Sequence, residues 1–195
     1  MALETKIKFA ISDGALVRKT VFTVVSKGPI RAIKKVAHDL YDRGLFSVRG
    51  NMSARCDNGF IITASGANFN SLSDEDFVQV NHFNIAKNSL EDASGLKNPS
   101  SETPMHALIY ETRKDANAII HTHDPQLMSE KAIAKLKFLV TPNKTEPGTP
   151  ECAQEIADLL ENSDVAISKA HGLVIIGKSI EACQEALVTL KRRAP

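Results

Sequence analysis

Aromatic side chains are scarce in this sequence, which has no tryptophan and two tyrosines among 195 residues. A surface on which single-stranded nucleic acid stacks needs several exposed rings, so no such surface is expected. An excess of one charge is lacking too. The formal net charge is +1, which gives no electrostatic reason to expect a nucleic acid or an anionic membrane as partner.

Long apolar runs are also missing. Charged residues interrupt the N-terminal segment well before it reaches the length of a signal-peptide core or a membrane span. Cys56, Cys152 and Cys183 lie far apart with no CxxC motif, and an odd, scattered set of this kind is typical of reduced thiols. These absences predict a cytoplasmic protein.

The composition does provide enough apolar material for one compact domain. Hydrophobic residues make up 43% and charged residues 24% of the chain, ordinary values for a globular protein. A chain of this length fits one domain more easily than two, so we expect a single domain over residues 1–195.

Strand and helix patterns alternate along the chain. The predicted strands cover residues 5–11, 20–25, 53–55, 60–63, 77–80, 116–122, 138–140, 166–168 and 173–176. The predicted helices cover residues 30–41, 103–112, 150–160 and 180–191, with a short helical connection at 72–76. Residues 87–99 resemble a turn-rich loop, and residues 131–136 show no clear pattern. Hairpin turns are expected at Asp13-Gly14 and Asp57-Asn58-Gly59, a helix end at Gly44 and a helix N-cap at Ser101. The whole indicates an α/β protein with a mixed, partly antiparallel sheet covered by helices.

Two histidines end the apolar stretch Ala118-Ile119-Ile120-His121-Thr122-His123. On a strand, residues i and i+2 project from the same face, so these two imidazoles point together. Converging neutral imidazoles suit a divalent metal such as zinc. A pair of surface histidines is the simpler explanation of this motif alone, because two ligands do not hold a metal.

Further donors must come from elsewhere in the chain. His171 stands in a loop between two predicted strands, where it can turn toward a site. Glu102 begins a predicted helix, where a carboxylate is favourable in any case, and His106 lies one helical turn on and can orient it. His38 and His82 are expected to be ordinary solvated residues. Three histidines and a glutamate that can leave the metal would give the open position and the base that catalytic zinc needs.

Three short polar segments predict a phosphate site: Arg49-Gly50-Asn51-Met52-Ser53, Ala64-Ser65-Gly66 and Ser100-Ser101. Each combines backbone N–H groups with hydroxyl or amide donors, and such loops can hold a phosphate without a P-loop lysine. Each segment is weak evidence alone, because glycine and serine mark any turn. Their number and their proximity to Glu102 give the prediction its weight.

At these residues the sequence resembles the class II aldolase/adducin family, which includes L-fuculose-phosphate aldolase and L-ribulose-phosphate 4-epimerase. The resemblance spans roughly residues 31–192 and leaves residues 1–27 as an unmatched N-terminal extension. It rests on the following segments, taken in this order: LYDRGLFSVRGNMSAR, ITASG, LSDEDFVQV, PSSETPMHALIYETRKDANAIIHTHD and AHGLVIIGKSIEACQEAL.

The resemblance implies a role for each candidate residue. The metal ligands would be His121, His123, His171 and Glu102, and Glu102 would also be the catalytic acid/base. The substrate-phosphate positions would be Asn51, Ser65, Gly66, Ser100 and Ser101. The implied fold is a three-layer α/β/α sandwich with a mixed, largely antiparallel central sheet, and the implied assembly is a homotetramer with sites near subunit interfaces.

The implied activity is that of a lyase. A Zn²⁺-dependent aldolase would cleave a small phosphorylated keto-sugar through a metal-stabilised enediolate, although another divalent metal could serve. Family aldolases take further proton donors from tyrosines of a neighbouring subunit or of a C-terminal tail, whereas Tyr41 and Tyr110 both lie on predicted helices here. Three alternatives therefore remain. The chain could act like methylthioribulose-phosphate dehydratase, it could be a sugar-phosphate epimerase, or it could be a non-catalytic, adducin-like binding domain.

Overall fold

The structure is a computed structural model that describes residues 5–12, 15–22, 26–46 and 49–195, with side chains from residue 26 onward. Ten strands lie in these residues: β1 (Thr5–Ser12), β2 (Ala15–Phe22), β3 (Gly50–Cys56), β4 (Gly59–Thr63), β5 (Phe77–Asn84), β6 (Ser89–Ser94), β7 (Ala118–Thr122), β8 (Leu139–Val140), β9 (Val165–Ser168) and β10 (Gly172–Gly177). The α-helices of the same residues are α1 (Lys27–Asp42), α2 (Thr103–Thr112), α3 (Glu130–Leu136), α4 (Pro150–Leu160) and α5 (Ile180–Arg193), and a 3-10 turn covers Asp74–Asp76.

All ten strands belong to one sheet, in the order β2-β1-β6-β5-β4-β3-β7-β10-β9-β8. Neighbouring strands are antiparallel except β8 and β9, which run parallel. Strand β7 lies between β3 and β10, so His121 pairs with Asn51 on one side and with Val174 on the other. This register brings three segments with predicted site residues to one end of the central strands.

Helices cover both faces of the sheet. Helices α1 and α5 pack on one face and form an apolar cluster around Ile33, Leu40 and Leu187. Helices α2 and α4 pack on the other face and form a second cluster around Ile109, Ile156 and Leu160. Burying each such side chain contributes roughly 1.5–3 kcal/mol. The molecule is therefore a three-layer α/β/α sandwich with a mixed, largely antiparallel sheet, which confirms the expected fold class.

Most predicted elements are confirmed within a few residues. Helix α1 ends before Gly44, which has φ +62°, and the Asp57–Gly59 turn joins β3 to β4. Strand β2 begins at residue 15, earlier than expected. The Asp13-Gly14 turn and residues 23–25 of the predicted strand lie outside the described residues.

Three expectations were wrong or incomplete. Residues 89–94, predicted to be a loop, form strand β6, because pairing with β5 and β1 overrides a polar sequence that shows no alternation. Residues 131–136, in which the sequence shows no clear pattern, belong to helix α3, whose N-cap Ser129 accepts a hydrogen bond from Ala132 N. Ser101 is not the N-cap of α2, since that position belongs to Glu102.

Among the residues that the structure describes, no helix is both long enough and apolar enough to cross a membrane.

Candidate metal centre and active-site cleft

Four side chains from separate elements converge at one end of the sheet. The donor atoms of Glu102, His121, His123 and His171 all lie within 4.8 Å of one another. Glu102 Oε1 lies 2.8 Å from His171 Nε2, and Glu102 Oε2 lies 3.0 Å from His121 Nε2. The structure thus brings together the predicted metal-ligand set.

Backbone geometry determines where each ligand stands. His121 is on β7 and His123 lies just beyond the end of the strand, which keeps both rings on one side. His171 occupies the tight β9–β10 connection, after Ala170 with φ +58°. A Cβ added at Gly172 would overlap His121 Cε1, so only glycine lets these strands close around that ring.

The protonation pattern of His121 shows that the cluster suits a cation. Nδ1 lies 3.1 Å from the carbonyl oxygen of Leu173, which can only accept, so Nδ1 carries the proton. In the neutral ring, Nε2 then presents a lone pair to the carboxylate of Glu102. These groups repel unless positive charge lies between them. A proton removes the repulsion between one pair of atoms, whereas a divalent ion can bind all four donor residues. Imidazole nitrogen and carboxylate oxygen are both ligands that zinc accepts.

The electrostatics of the cluster favour metal-binding forms of its members. Burial opposes ionisation of Glu102, but positive charge on the facing imidazoles of His121 and His171, with the hydrogen bonds that such charge allows, outweighs it. The pKa of this carboxyl therefore lies well below its usual range. Burial lowers the pKa of His123 to about 4, and repulsion from the other two imidazoles acts in the same direction. An ionised carboxylate and a neutral imidazole are the forms that bind metal.

A cleft beside the cluster contains the predicted phosphate positions. Its lining comprises Arg49, Gly50, Asn51, Ala64, Ser65, Gly66, Ser100, Ser101, Glu102, Pro147, His123 and His171. The backbone N–H groups of Ser65 and Ser100 already donate to the carbonyls of Asn98 and Thr63. The hydroxyls of these two serines are therefore the groups that could contact a bound anion.

Asn51 differs from the other predicted phosphate positions. Its residue is 3% exposed, and its Nδ2 donates to Ser100 Oγ at 3.1 Å and to Glu102 Oε2 at 2.8 Å. Its Oδ1 lies 2.6 Å from His106 Nε2. With all its side-chain groups engaged by protein, Asn51 is placed to orient Glu102 and Ser100.

The expectation for His106 needs a correction. The ring does not contact the carboxylate of Glu102. It bonds Asn51 and, through Nδ1 at 2.7 Å, Ser53 Oγ. The helical spacing was the wrong signal, because β3 supplies the partners of this ring.

Two further histidines lie apart from the cluster, as expected. His38 and His82 are exposed and pair with Asp42 and Glu91, respectively. Pro147, from the loop before α4, lines the cleft although no signal in the sequence singled it out. Arg49 also lines the cleft, and its position next to Gly50-Asn51 was the signal that could have marked it as a site residue.

Comparison with known proteins assigns the family. The model of the class II aldolase and adducin N-terminal domain matches residues 31–195. The chain belongs to this family. Class II aldolase membership supports a lyase-type enzyme and confirms the resemblance found in the sequence.

Relatives with reported names point the same way. An L-fuculose phosphate aldolase of Methanococcus maripaludis strain C7 is 32% identical over 160 residues, which are 75% of this chain and 83% of that protein. A methylthioribulose-1-phosphate dehydratase of Pseudoalteromonas translucida is 38% identical over 74 residues, 38% of this chain and 32% of that protein.

Solved structures confirm the fold. An L-fuculose 1-phosphate aldolase superposes with a TM-score of 0.73 at 22% identity and covers 86% of this chain and 84% of its own. A sugar-phosphate aldolase from Thermotoga maritima gives a TM-score of 0.72 at 21% identity, with coverages of 84% and 90%.

Proposed function

We propose that this chain is a zinc-dependent, aldolase-type lyase that cleaves a small phosphorylated keto-sugar. The observation that carries the proposal is the convergence of Glu102, His121, His123 and His171 next to a serine-lined cleft. A zinc ion held by these four residues would supply Lewis-acid stabilisation of negative charge that develops on substrate oxygens.

Glu102 is the residue to which we assign proton transfer. Its carboxylate is ionised, lines the cleft and is held by Asn51 from the buried side. When the carbon–carbon bond breaks, its electron pair stays on the carbon next to the ketone. Glu102 would first take up a proton from water in the cleft and then give it to that carbon, which returns the side chain to the carboxylate form.

The phosphate would bind where the serine-bearing turns line the cleft. The hydroxyls of Ser65, Ser100 and Ser101 and the backbone of Gly66 present donors there. Anchoring the phosphate would hold the reacting carbons beside Glu102 and convert binding energy into orientation.

A second proton-transfer group must act on the substrate hydroxyl, and the tyrosines of the same subunit do not supply it. Neither Tyr41 nor Tyr110 lines the cleft, and the hydroxyl of Tyr110 lies 2.8 Å from Ser53 Oγ on the buried side. We therefore include in the proposal a homotetramer in which a neighbouring subunit completes the site, and sedimentation analysis would test it.

The free thiols at Cys56, Cys152 and Cys183 support a cytoplasmic location.

Metal analysis and turnover together test the proposal. The purified protein should contain about one zinc per chain and cleave at least one ketose phosphate of a panel. Glu102→Gln should lower kcat by at least about 100-fold, because it removes the acid/base. Glu111→Gln, an exposed change on the same helix, should leave kcat unaltered. Protein that binds no divalent metal and acts on no member of the panel would contradict the proposal.

Dehydration is a second candidate, favoured by the 38% identity to a methylthioribulose-1-phosphate dehydratase and by the absence of tyrosine from the cleft. The products separate the two reactions: cleavage gives two carbonyl fragments, whereas dehydration gives one product lighter by one water.

A non-catalytic binding domain would show no change of melting temperature with EDTA.

A further inference from the structure

A buried chain of hydrogen bonds leads from helix α2 to the acid/base carboxylate. Tyr110 Oη lies 2.8 Å from Ser53 Oγ, which lies 2.7 Å from His106 Nδ1. His106 Nε2 lies 2.6 Å from Asn51 Oδ1, and Asn51 Nδ2 lies 2.8 Å from Glu102 Oε2. The rings of His106 and Tyr110 are 0% and 4% exposed, so water does not compete for these bonds.

The carboxylate determines the direction of every bond in this chain. The amide nitrogen of Asn51 faces the carboxylate of Glu102 and the amide oxygen faces His106, so the amide donates to the first and accepts from the second. His106 Nε2 therefore carries the proton and Nδ1 accepts. Ser53 in turn donates to Nδ1. A single assignment of protons satisfies all these groups.

Asn51 connects this chain to the cleft. Its second amide hydrogen is directed at Ser100 Oγ, 3.1 Å from Nδ2. If the amide turned over, its oxygen would face both Glu102 and Ser100, and the carboxylate would meet a second acceptor. The N–H of His106 is the contact that holds the amide in the productive orientation.

We propose that His106 is a positioning residue that locks the Asn51 amide and thereby fixes both the acid/base carboxylate of Glu102 and the Ser100 hydroxyl. This inference rests on the proposed function for the roles of Glu102 and Ser100. The hydrogen bond by which His106 holds the Asn51 amide does not depend on that function. His106 touches no substrate and acts entirely through Asn51.

The ring tautomer tests the lock without any turnover. Two-bond ¹H–¹⁵N spectra of the metal-free protein should show His106 protonated at Nε2 and unprotonated at Nδ1. The opposite tautomer would overturn the inference, because Asn51 would then have to present its oxygen to Glu102.

Substitution tests the consequence. His106→Leu removes the N–H donor and should weaken zinc affinity by about 10–100-fold, with a similar fall in kcat, the range found when a partner of a metal ligand is lost. His106→Gln can again present an N–H to Asn51 and should recover most of both. Ile109→Val, a fully buried change on the same helix, should reduce stability without altering zinc affinity.

The outcomes are distinguishable from failure of the proposed function. Unmodified protein that turns over no ketose phosphate would remove the function alone, since the tautomer and the zinc titration would still be measured. Equal losses in His106→Leu and His106→Gln, or no loss in either, would overturn the positioning role.

Discussion

The cleft is lined by exposed turns and is backed, behind Asn51, by a buried group of side chains that we call the inner wall; the two are built in opposite ways. The inner wall, which we define as Asn51, Ser53, His106 and Tyr110, is buried to at least 96% and is held by side-chain hydrogen bonds between a strand and a helix. The outer wall, defined as Ser65, Gly66, Ser100 and Ser101, consists of exposed or half-buried residues of turns and loops that line the cleft. The inner wall excludes water, whereas the outer wall is accessible to solvent.

This difference matches two separate tasks. A carboxylate that transfers a proton needs one fixed orientation, and dry hydrogen bonds with all groups satisfied provide it. A phosphate that must enter and leave is better met by exposed hydroxyls that exchange it for water. Substitutions on the inner wall should therefore alter metal affinity and kcat, whereas substitutions on the outer wall should chiefly raise KM.

Removal of His171 should have the largest effect. This residue contacts Glu102 and also lines the cleft. Because loss of even an outer partner of a ligand costs about 10–100-fold in metal affinity, His171→Ala should weaken zinc binding by more than about 100-fold. Titration against a competing chelator measures this. His38→Ala, at an exposed histidine paired with Asp42, is the control and should bind zinc normally. Unchanged zinc affinity in His171→Ala would exclude His171 as a ligand.

Gly172→Ala should disturb the metal centre while leaving every donor in place. The new Cβ would overlap His121 Cε1 and lie 3.0 Å from Thr122 O, so the His121 ring or the β7–β10 pairing must shift. We expect zinc affinity to fall by about 10-fold or more and the unfolding free energy to fall by about 1–3 kcal/mol. A Cβ at Gly28 meets nothing within 4 Å, so Gly28→Ala is the matched control. Normal zinc binding by Gly172→Ala would show that the ring position is not critical.

Local patterns in the sequence were sufficient for most of the fold. Helices α2 and α4 were predicted with their observed bounds, since proline near the start and apolar spacing are local signals. Strand β6 was missed because its residues are polar and its pairing depends on distant neighbours. Helix α3 was missed because seven residues give too short a pattern for periodicity.

In the candidate site, too, local sequence patterns predicted some features and missed those that depend on distant residues. The HxH spacing on β7 predicts two converging imidazoles, and the structure places Glu102 and His171 beside them. The sequence could not predict that His106 acts through Asn51 instead of contacting Glu102 directly, because the partners of this ring lie on β3, 53 and 55 residues earlier in the chain. Sequence spacing reports neighbours on one helix, and only the assembled sheet brings Asn51 and Ser53 under that ring.

The stability of the outer wall should depend on pH through Asp76, which supports the Ser65-Gly66 turn. We expect this effect to be the smallest of those predicted. Asp76 accepts from Lys97 Nζ at 2.6 Å, and its backbone carbonyl accepts from Ala64 N at the start of the Ser65-Gly66 turn. Burial would raise the pKa of Asp76, but bonds from Lys97 and Ser73 outweigh it and lower the pKa below its usual value.

A carboxyl whose folded pKa is lowered binds more protons when unfolded. The stability that it contributes is therefore present above about pH 4 and is lost as the pH falls through the folded pKa. We expect Asp76→Asn to lower the unfolding free energy by about 1 kcal/mol at pH 7 and by less at pH 3. Urea unfolding at the two pH values measures the difference, and Lys97→Met should shift stability in the same direction, although the bonds from Ser73 remain. An equal loss at both pH values would mean that charge pairing does not support the outer wall, and the contrast with the neutral inner wall would then rest on solvent exposure alone.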